Sequence, residues 1–340
     1  MTVIAPDGRQ IQLDSAYSRS RQNRTELRVP LEAVTAQGTY VVRYSVLGRD
    51  GHLISGRYVF SVGYTSAPQD HGDLSRWATL LEAWARLLHL LALVLLFGTA
   101  ALSLGAHHLG EEDIVRVHAQ NIARRGALLA AIASCLILVA YTGNFTTLSD
   151  PEIIRQLLTT RSGMIWSGSF FLALFCYGSL ALPLPATVQL TLWIVSATAL
   201  ALGRAAVSHA AATAIPLLSI PMATVHTIGA AILIGSSLAL LPLVRGAQGQ
   251  TETVRSTVEQ LIRRLTLAAV PLAELVTVSG AYALWTNVAE PQDLWKTLYG
   301  RALLGKLVAV MAFAAATGIF TVRWLRQQRA SRQLLQVKAL

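Results

Sequence analysis

Pro221-Met222-Ala223-Thr224-Val225-His226 sits inside an apolar run from about Pro216 to Val244. That run exceeds the ~20 residues a helix needs to cross a bilayer. A histidine at such depth is costly unless it faces protein or water. Met222 and His226 are four apart and so share one helix face. A thioether above an imidazole is a soft donor pair, suited to copper. A second run, Trp84 to Gly105, has the same grammar, with His89 inside it. Together they suggest a polytopic, mainly α membrane protein that handles copper and is organised around two intramembrane histidines.

Composition supports the bilayer. Of 340 residues, 53% are hydrophobic and only 14% charged, against an average near 25% charged. The net charge of +10 reads first as membrane topology. No basic patch is interleaved with aromatics, so nucleic acid is not an expected partner. Cys135 and Cys176 both lie in apolar runs and read as buried, inert thiols, with metal ligation as the alternative. Met1 to Pro6 does not read as a secretory signal. No Ser-His-Asp set, phosphate loop or HExxH is present, so the chain reads as a non-enzyme without its own ATPase.

Residues 1–64 differ from the rest. Short alternating runs, about 9–13, 25–29, 39–47 and 57–62, are punctuated by Gly8, Gly38 and Gly48-Arg49-Asp50-Gly51. This predicts a small all-β, sandwich-like domain of four or five strands. A polar linker, 65–76, follows. Seven spanning helices are expected across 77–326, at about 78–105, 123–145, 163–182, 187–206, 216–244, 262–286 and 301–325. Pro183-Leu184-Pro185 makes a tight reversal. Arg116, Arg124 and Arg125, then Arg245, Arg255, Arg263 and Arg264, then the basic tail 327–340 all fall on one side. The positive-inside rule makes that side cytoplasmic and the N-terminal domain extracytoplasmic.

His226 follows His89 by 137 residues. The same offset pairs Gly98 with Gly235, Gly143 with Gly280, Gly163 with Gly300 and Gly168 with Gly305. That argues for a parallel internal repeat about an axis along the membrane normal, with glycines at points of close helix approach. Each histidine lies about 16 Å below the outer start of its helix, at 1.5 Å per residue. If both turn toward the axis, His89 and His226 face one another and share an ion. The alternative for each is a neutral imidazole bonded to backbone or hydroxyl.

Other candidates are weaker by spacing. His209, in Ser208-His209-Ala210 before the fifth span, could receive an ion at the outer mouth. Glu274 is an intramembrane carboxylate and so a functional candidate; its repeat mate is Ile137. Lys306 reads as snorkelling to the outer surface. His107, His108 and His118 could bind metal at a cytoplasmic exit, or be solvated loop residues. Asp50 and His52 offer oxygen and nitrogen ligands suited to Cu(II).

Longer motifs carry a resemblance. Gly38 to Val46, Asp50-Gly51-His52-Leu53-Ile54-Ser55-Gly56 and Tyr58 to Val62 resemble the copper resistance protein C family. The resemblance implies that Asp50 and His52 are Cu(II) ligands. The family's third ligand, a histidine at the mature N-terminus, and its first strands have no counterpart from Met1 on, which implies a partial domain. Arg86-Leu87-Leu88-His89, Ser208-His209-Ala210, His226-Thr227-Ile228-Gly229-Ala230 and Leu294 to Lys306 resemble the copper resistance protein D family, whose members commonly have eight helices. Fusion of the two implies copper transport across a bacterial inner membrane. Copper, as Cu(I) or Cu(II), would be captured outside and passed through His209, Met222, His226 and His89. Periplasmic and cytoplasmic copper chaperones are candidate partners. The rival readings are a haem- or copper-dependent electron-transfer protein and a non-transporting copper sensor or scaffold.

Overall fold

The computed structural model describes residues 2–11, 17–21, 24–28, 36–47, 53–65, 75–109, 112–142, 151–247, 251–288, 291–296 and 298–338. The chain divides into two compact units, residues 1–87 with 133–167, and 88–132 with 168–340. The division runs through helices rather than along the linker.

In the first unit, the described strands are β1 (Thr2–Ile4), β2 (Gln10–Ile11), β3 (Tyr17–Arg21), β4 (Arg24–Arg28), β5 (Gly38–Leu47) and β6 (Leu53–Val62). One antiparallel sheet has the order β2-β1-β5-β6, and β3 pairs with β4 separately. Of the expected run at 9–13, β2 covers Gln10–Ile11, and residues 12–13 lie outside the described residues. The three-residue β1 was too short to show a period. Val3, Ala5, Tyr40 and Val42 form a small core. Tyr40 stands opposite Phe60 in the β5–β6 register, and their rings stack at 5.1 Å. Such cross-strand aromatic pairs are the unit of sheet stabilisation. The Tyr40 hydroxyl donates to the Ala36 carbonyl at 2.8 Å. Asp50 and His52, between β5 and β6, lie outside the described residues.

The helices are α1 (Ser75–Ala106), α2 (Glu112–Tyr141), α3 (Pro151–Thr159), α4 (Arg161–Ala181), α5 (Ala186–Ala206), α6 (Pro216–Gly246), α7 (Glu252–Asn287), α8 (Asp293–Lys296) and α9 (Leu298–Lys338). Seven of them, all but α3 and α8, are long and apolar enough to cross a membrane. The expected count of seven therefore holds among the described residues. Boundaries shift at the charged ends of the expected spans. Arg116 and His118 belong to α2, Arg255 to α7, and the basic tail as far as Lys338 to α9. A helix satisfies its own backbone whether or not its side chains are apolar, so it continues beyond the hydrocarbon region.

The Pro183-Leu184-Pro185 reversal joins α4 to α5 as expected. Its open carbonyls are met by Gln189, whose amide donates to Ser179 O at 3.1 Å and Leu182 O at 3.3 Å. In the second unit the core is rich in alanine, including Ala92, Ala100, Ala119, Ala123, Ala127 and Ala197, around Leu93, Leu96, Trp193 and Leu200. Small side chains let helices approach closely. Cys176 is buried there, whereas Cys135 is exposed rather than buried.

α1 and α6 meet at backbone distance. A Cβ at Gly98 would collide with the Gly235 backbone, and a Cβ at Gly235 with the Val94 carbonyl and Gly98 Cα. These are a repeat-matched pair. Helices that meet at equivalent residues are related by a two-fold axis through the contact, consistent with the parallel repeat. The rule does not extend to Gly168 and Gly305, where an added Cβ meets nothing within 4 Å. α6 also carries Pro221 and Pro242 inside it. Around α9, none of the apolar window of Gly300–Ile319 is buried.

Gly98→Val or Gly235→Val should therefore force α1 and α6 apart. We expect little folded protein by size-exclusion chromatography in detergent, or a melting temperature lowered by an overpacking penalty of at least about 1–3 kcal/mol. Gly168→Ala and Gly305→Ala should melt no lower than the wild type.

Candidate metal site

α6 places Met222 and His226 on one stripe, both half-buried, and that stripe packs on α7. A Cβ at Gly229, three residues after His226, would strike the Val276 side chain. His226 Nδ1 lies 3.1 Å from the Val276 carbonyl and 3.2 Å from Ser279 Oγ. A carbonyl can only accept, so Nδ1 carries the hydrogen in that bond. The neutral ring then keeps its lone pair on Nε2, the arrangement that orients a metal-binding histidine. Ser279, itself buried, has its hydroxyl against the Leu275 and Val276 carbonyls. Gly280 leaves room for the ring: a Cβ there would sit 3.2 Å from His226 Cε1. Val276 and Ser279 escaped sequence reasoning, and Gly280 entered it only as a repeat-matched glycine. The matching of Gly143 with Gly280 was the available signal, and Gly143 lies outside the described residues.

His89 is fully buried in α1. Its stripe continues through Ala92 and Leu96, which meet α2 at Gly126: a Cβ there would lie 3.2 Å from Ala92 O and 3.4 Å from Leu96 Cγ. The face-to-face geometry expected for the two histidines is not what the helices give. Each histidine precedes its contact glycine by nine residues, His89 before Gly98 and His226 before Gly235. Nine residues are two and a half turns at about 3.6 per turn. With both glycines aimed at the partner helix, both histidines leave their helices on the far side. The α1–α6 contact therefore does not bring the two imidazoles onto one ion, nor onto one haem.

The remaining candidates disperse. His209 is exposed in a 3-10 turn, His209–Ala212, capped by Ser208. Glu274 is exposed on α7, in a shallow groove with Val270, Ala273, Thr277 and Val278. Lys306 is exposed on α9. His118 is helical, and its Nε2 lies 3.2 Å from Ala239 O on α6. Among the described residues, no three His, Cys, Asp or Glu side chains group as a metal site.

A buried ionic cluster in the first unit was also missed. Arg86 Nε donates to Glu82 at 2.8 Å, and Arg86 Nη2 donates to Tyr141 OH at 3.0 Å. Trp166 Nε1 donates to the same hydroxyl at 3.1 Å, and the guanidinium sits 5.7 Å from the Trp166 ring centroid. Arg86 was visible in the sequence as part of a motif, and Glu82 lies one turn before it on α1, but Tyr141 and Trp166 come from α2 and α4. The repeat mate of Glu82 is Ser219, which is buried and bonded to Thr213 at 2.7 Å and Tyr282 at 2.9 Å. One copy thus uses an ion pair where the other uses hydroxyls.

Two family models match the chain. Residues 1–63 match the CopC domain, and residues 77–215 match the copper resistance protein D-like N-terminal domain. No curated protein and no solved structure matches. His89 and His209 fall within the second match; Met222, His226 and Glu274 lie beyond it.

Arg86→Met should leave Glu82 buried without its ion-pair partner, a loss of about 3–5 kcal/mol. The double variant Glu82→Gln, Arg86→Met should recover much of that in a thermal melt. Additive losses would mean that the pair is not coupled.

Proposed function

We propose that this chain, a CopC domain joined to a copper resistance protein D-like membrane domain, moves copper across a bacterial inner membrane. Copper handling itself follows from the two family matches. The observation that carries transport is the His226 geometry. Nδ1 is tied to a backbone carbonyl of α7, so Nε2 is the ligand atom, with the Met222 thioether one turn above it. Imidazole plus thioether can hold Cu(I) and tolerate Cu(II). Copper is the cargo in this reading, not a resident cofactor.

The outer domain would collect Cu(II) through Asp50 and His52 and pass it toward His209. The ion would then descend by Met222 to His226. His89 is a second, separate station on the repeat-related helix rather than half of a shared site. The basic side of the membrane domain is cytoplasmic by the positive-inside rule. Each step asks one or two ligands to release the ion to the next, which favours low-coordinate sites over a closed cage.

Proteoliposomes loaded with a copper-sensitive dye test this. His226→Ala should abolish copper flux while the protein stays folded. Ser279→Ala, which removes an outer-shell partner of the imidazole, should weaken copper binding about tenfold. Unchanged flux in His226→Ala would overturn the proposed path.

A further inference from the structure

Glu274 stands near the middle of the membrane-spanning part of α7. Arg264 precedes it by 10 residues, and Asn287, the last residue of the helix, follows it by 13. That is about 15 Å and about 20 Å of helix, in a hydrocarbon layer about 30 Å thick. A glutamate stem is too short to carry its carboxyl to either surface from there, and a carboxylate against lipid tails is costly. Yet Glu274 is exposed. The groove around it is lined by Val270, Ala273, Thr277 and Val278, all of α7 itself. The Thr277 hydroxyl donates to Ala273 O at 2.8 Å and so does not serve the carboxylate.

A counter-charge exists elsewhere in the chain. Lys306 is exposed on α9, and its depth is comparable. Its charge bears on the His226 ring, and that ring is bonded to Val276, two residues from Glu274. Neither Glu274 nor Lys306 makes a hydrogen bond or ion pair among the described residues. Snorkelling could serve Lys306 alone, but not Glu274. The helices that carry these two charges are also the least covered. Between 33% and 50% of the apolar stretch of each of the other five spans is buried, against 6% for α7 and 0% for α9. Acyl chains can cover the valines of these faces, but they cannot supply a carboxylate with a cation.

We propose that two copies of this chain pair in the membrane through α7 and α9, with Glu274 of each beside Lys306 of the partner subunit. A two-fold pair makes each contact twice and closes on itself, so both carboxylates and both ammonium groups are neutralised. Val270 and Val278, one turn to either side of Glu274, and Val310, one turn beyond Lys306, are 62%, 61% and 54% exposed in a single copy. In the pair they close around the two ions and keep lipid from them. α9 gains the packing face that a single copy does not give it. The pairing stands whether or not the protein moves copper.

The full chain, tagged at its C-terminus with a donor or an acceptor fluorophore, is reconstituted in liposomes and diluted with lipid. Association is read by energy transfer. The wild type should associate. Glu274→Gln, which keeps the shape and removes the charge, should weaken association at least about tenfold. Glu274→Lys alone and Lys306→Glu alone set like charges opposite one another, and each should weaken it about a hundredfold. Mixed together, those two variants should associate like the wild type, because every contact between them again joins opposite signs. Both residues are exposed in one copy, so each variant should elute as folded protein in detergent. Wild type that shows no transfer at any dilution overturns the pairing, and an ion pair closed within one chain would give that result. Association that survives both reversals, or that the mixture does not restore, overturns it as well.

Discussion

The backbone contact between Gly98 and Gly235 fixes the rest of the second unit. Within a bilayer there is little hydrophobic drive between helices, so association depends on close packing and internal polar bonds. Two glycines in register give the closest packing available, and they set the rotation of α1 and α6. Once those rotations are set, the faces of both helices are assigned. The glycine faces meet, and the histidine faces turn outward to the next helix in each copy. The same packing rule accounts for the alanines of the core.

Several polar groups of the spanning helices are then satisfied locally. Gln189 serves the carbonyls left by the proline reversal, and His226 is tied to α7. Ser219, Thr213 and Tyr282 bond one another, while Glu82 and Arg86 neutralise each other and share Tyr141 and Trp166. Hydroxyls can be buried with modest bonds. A buried charge requires a counter-charge and several donors, which is why the Arg86 cluster draws on three helices.

Much of this was legible in the sequence because hydrocarbon thickness imposes a length on apolar runs. The seven spans, the reversal at Pro183 to Pro185 and the long strands β5 and β6 follow from runs, periods and prolines. The 137-residue offset even named the contact glycines. Three things were not legible. Helix ends at α2 and α7 were hidden because charged turns remain helical outside the bilayer. The partners Ser279 and Tyr141 were hidden because bonds between distant helices leave no local pattern. The facing of the histidines was misread because depth and rotation are independent: equal depth follows from the repeat, but rotation depends on nine residues of helical phase.

The two prolines of α6 give that helix an uneven stiffness. Each lacks an N–H, so the Leu217 and Leu238 carbonyls lose their usual helical donors, and each ring crowds the turn before it. Helices bend most easily at such points. Pro221 and Pro242 are 21 residues apart, about 31 Å of helix, close to the thickness of the hydrocarbon layer. The Gly235 contact lies between them. α6 is thus held on α1 at Gly235 and on α7 at Ser219, His226 and Gly229, with a point of easy bending toward each end. Bending at Pro221 would leave the stretch between the prolines, and the ring of His226 upon it, held by its contacts with α1 and α7.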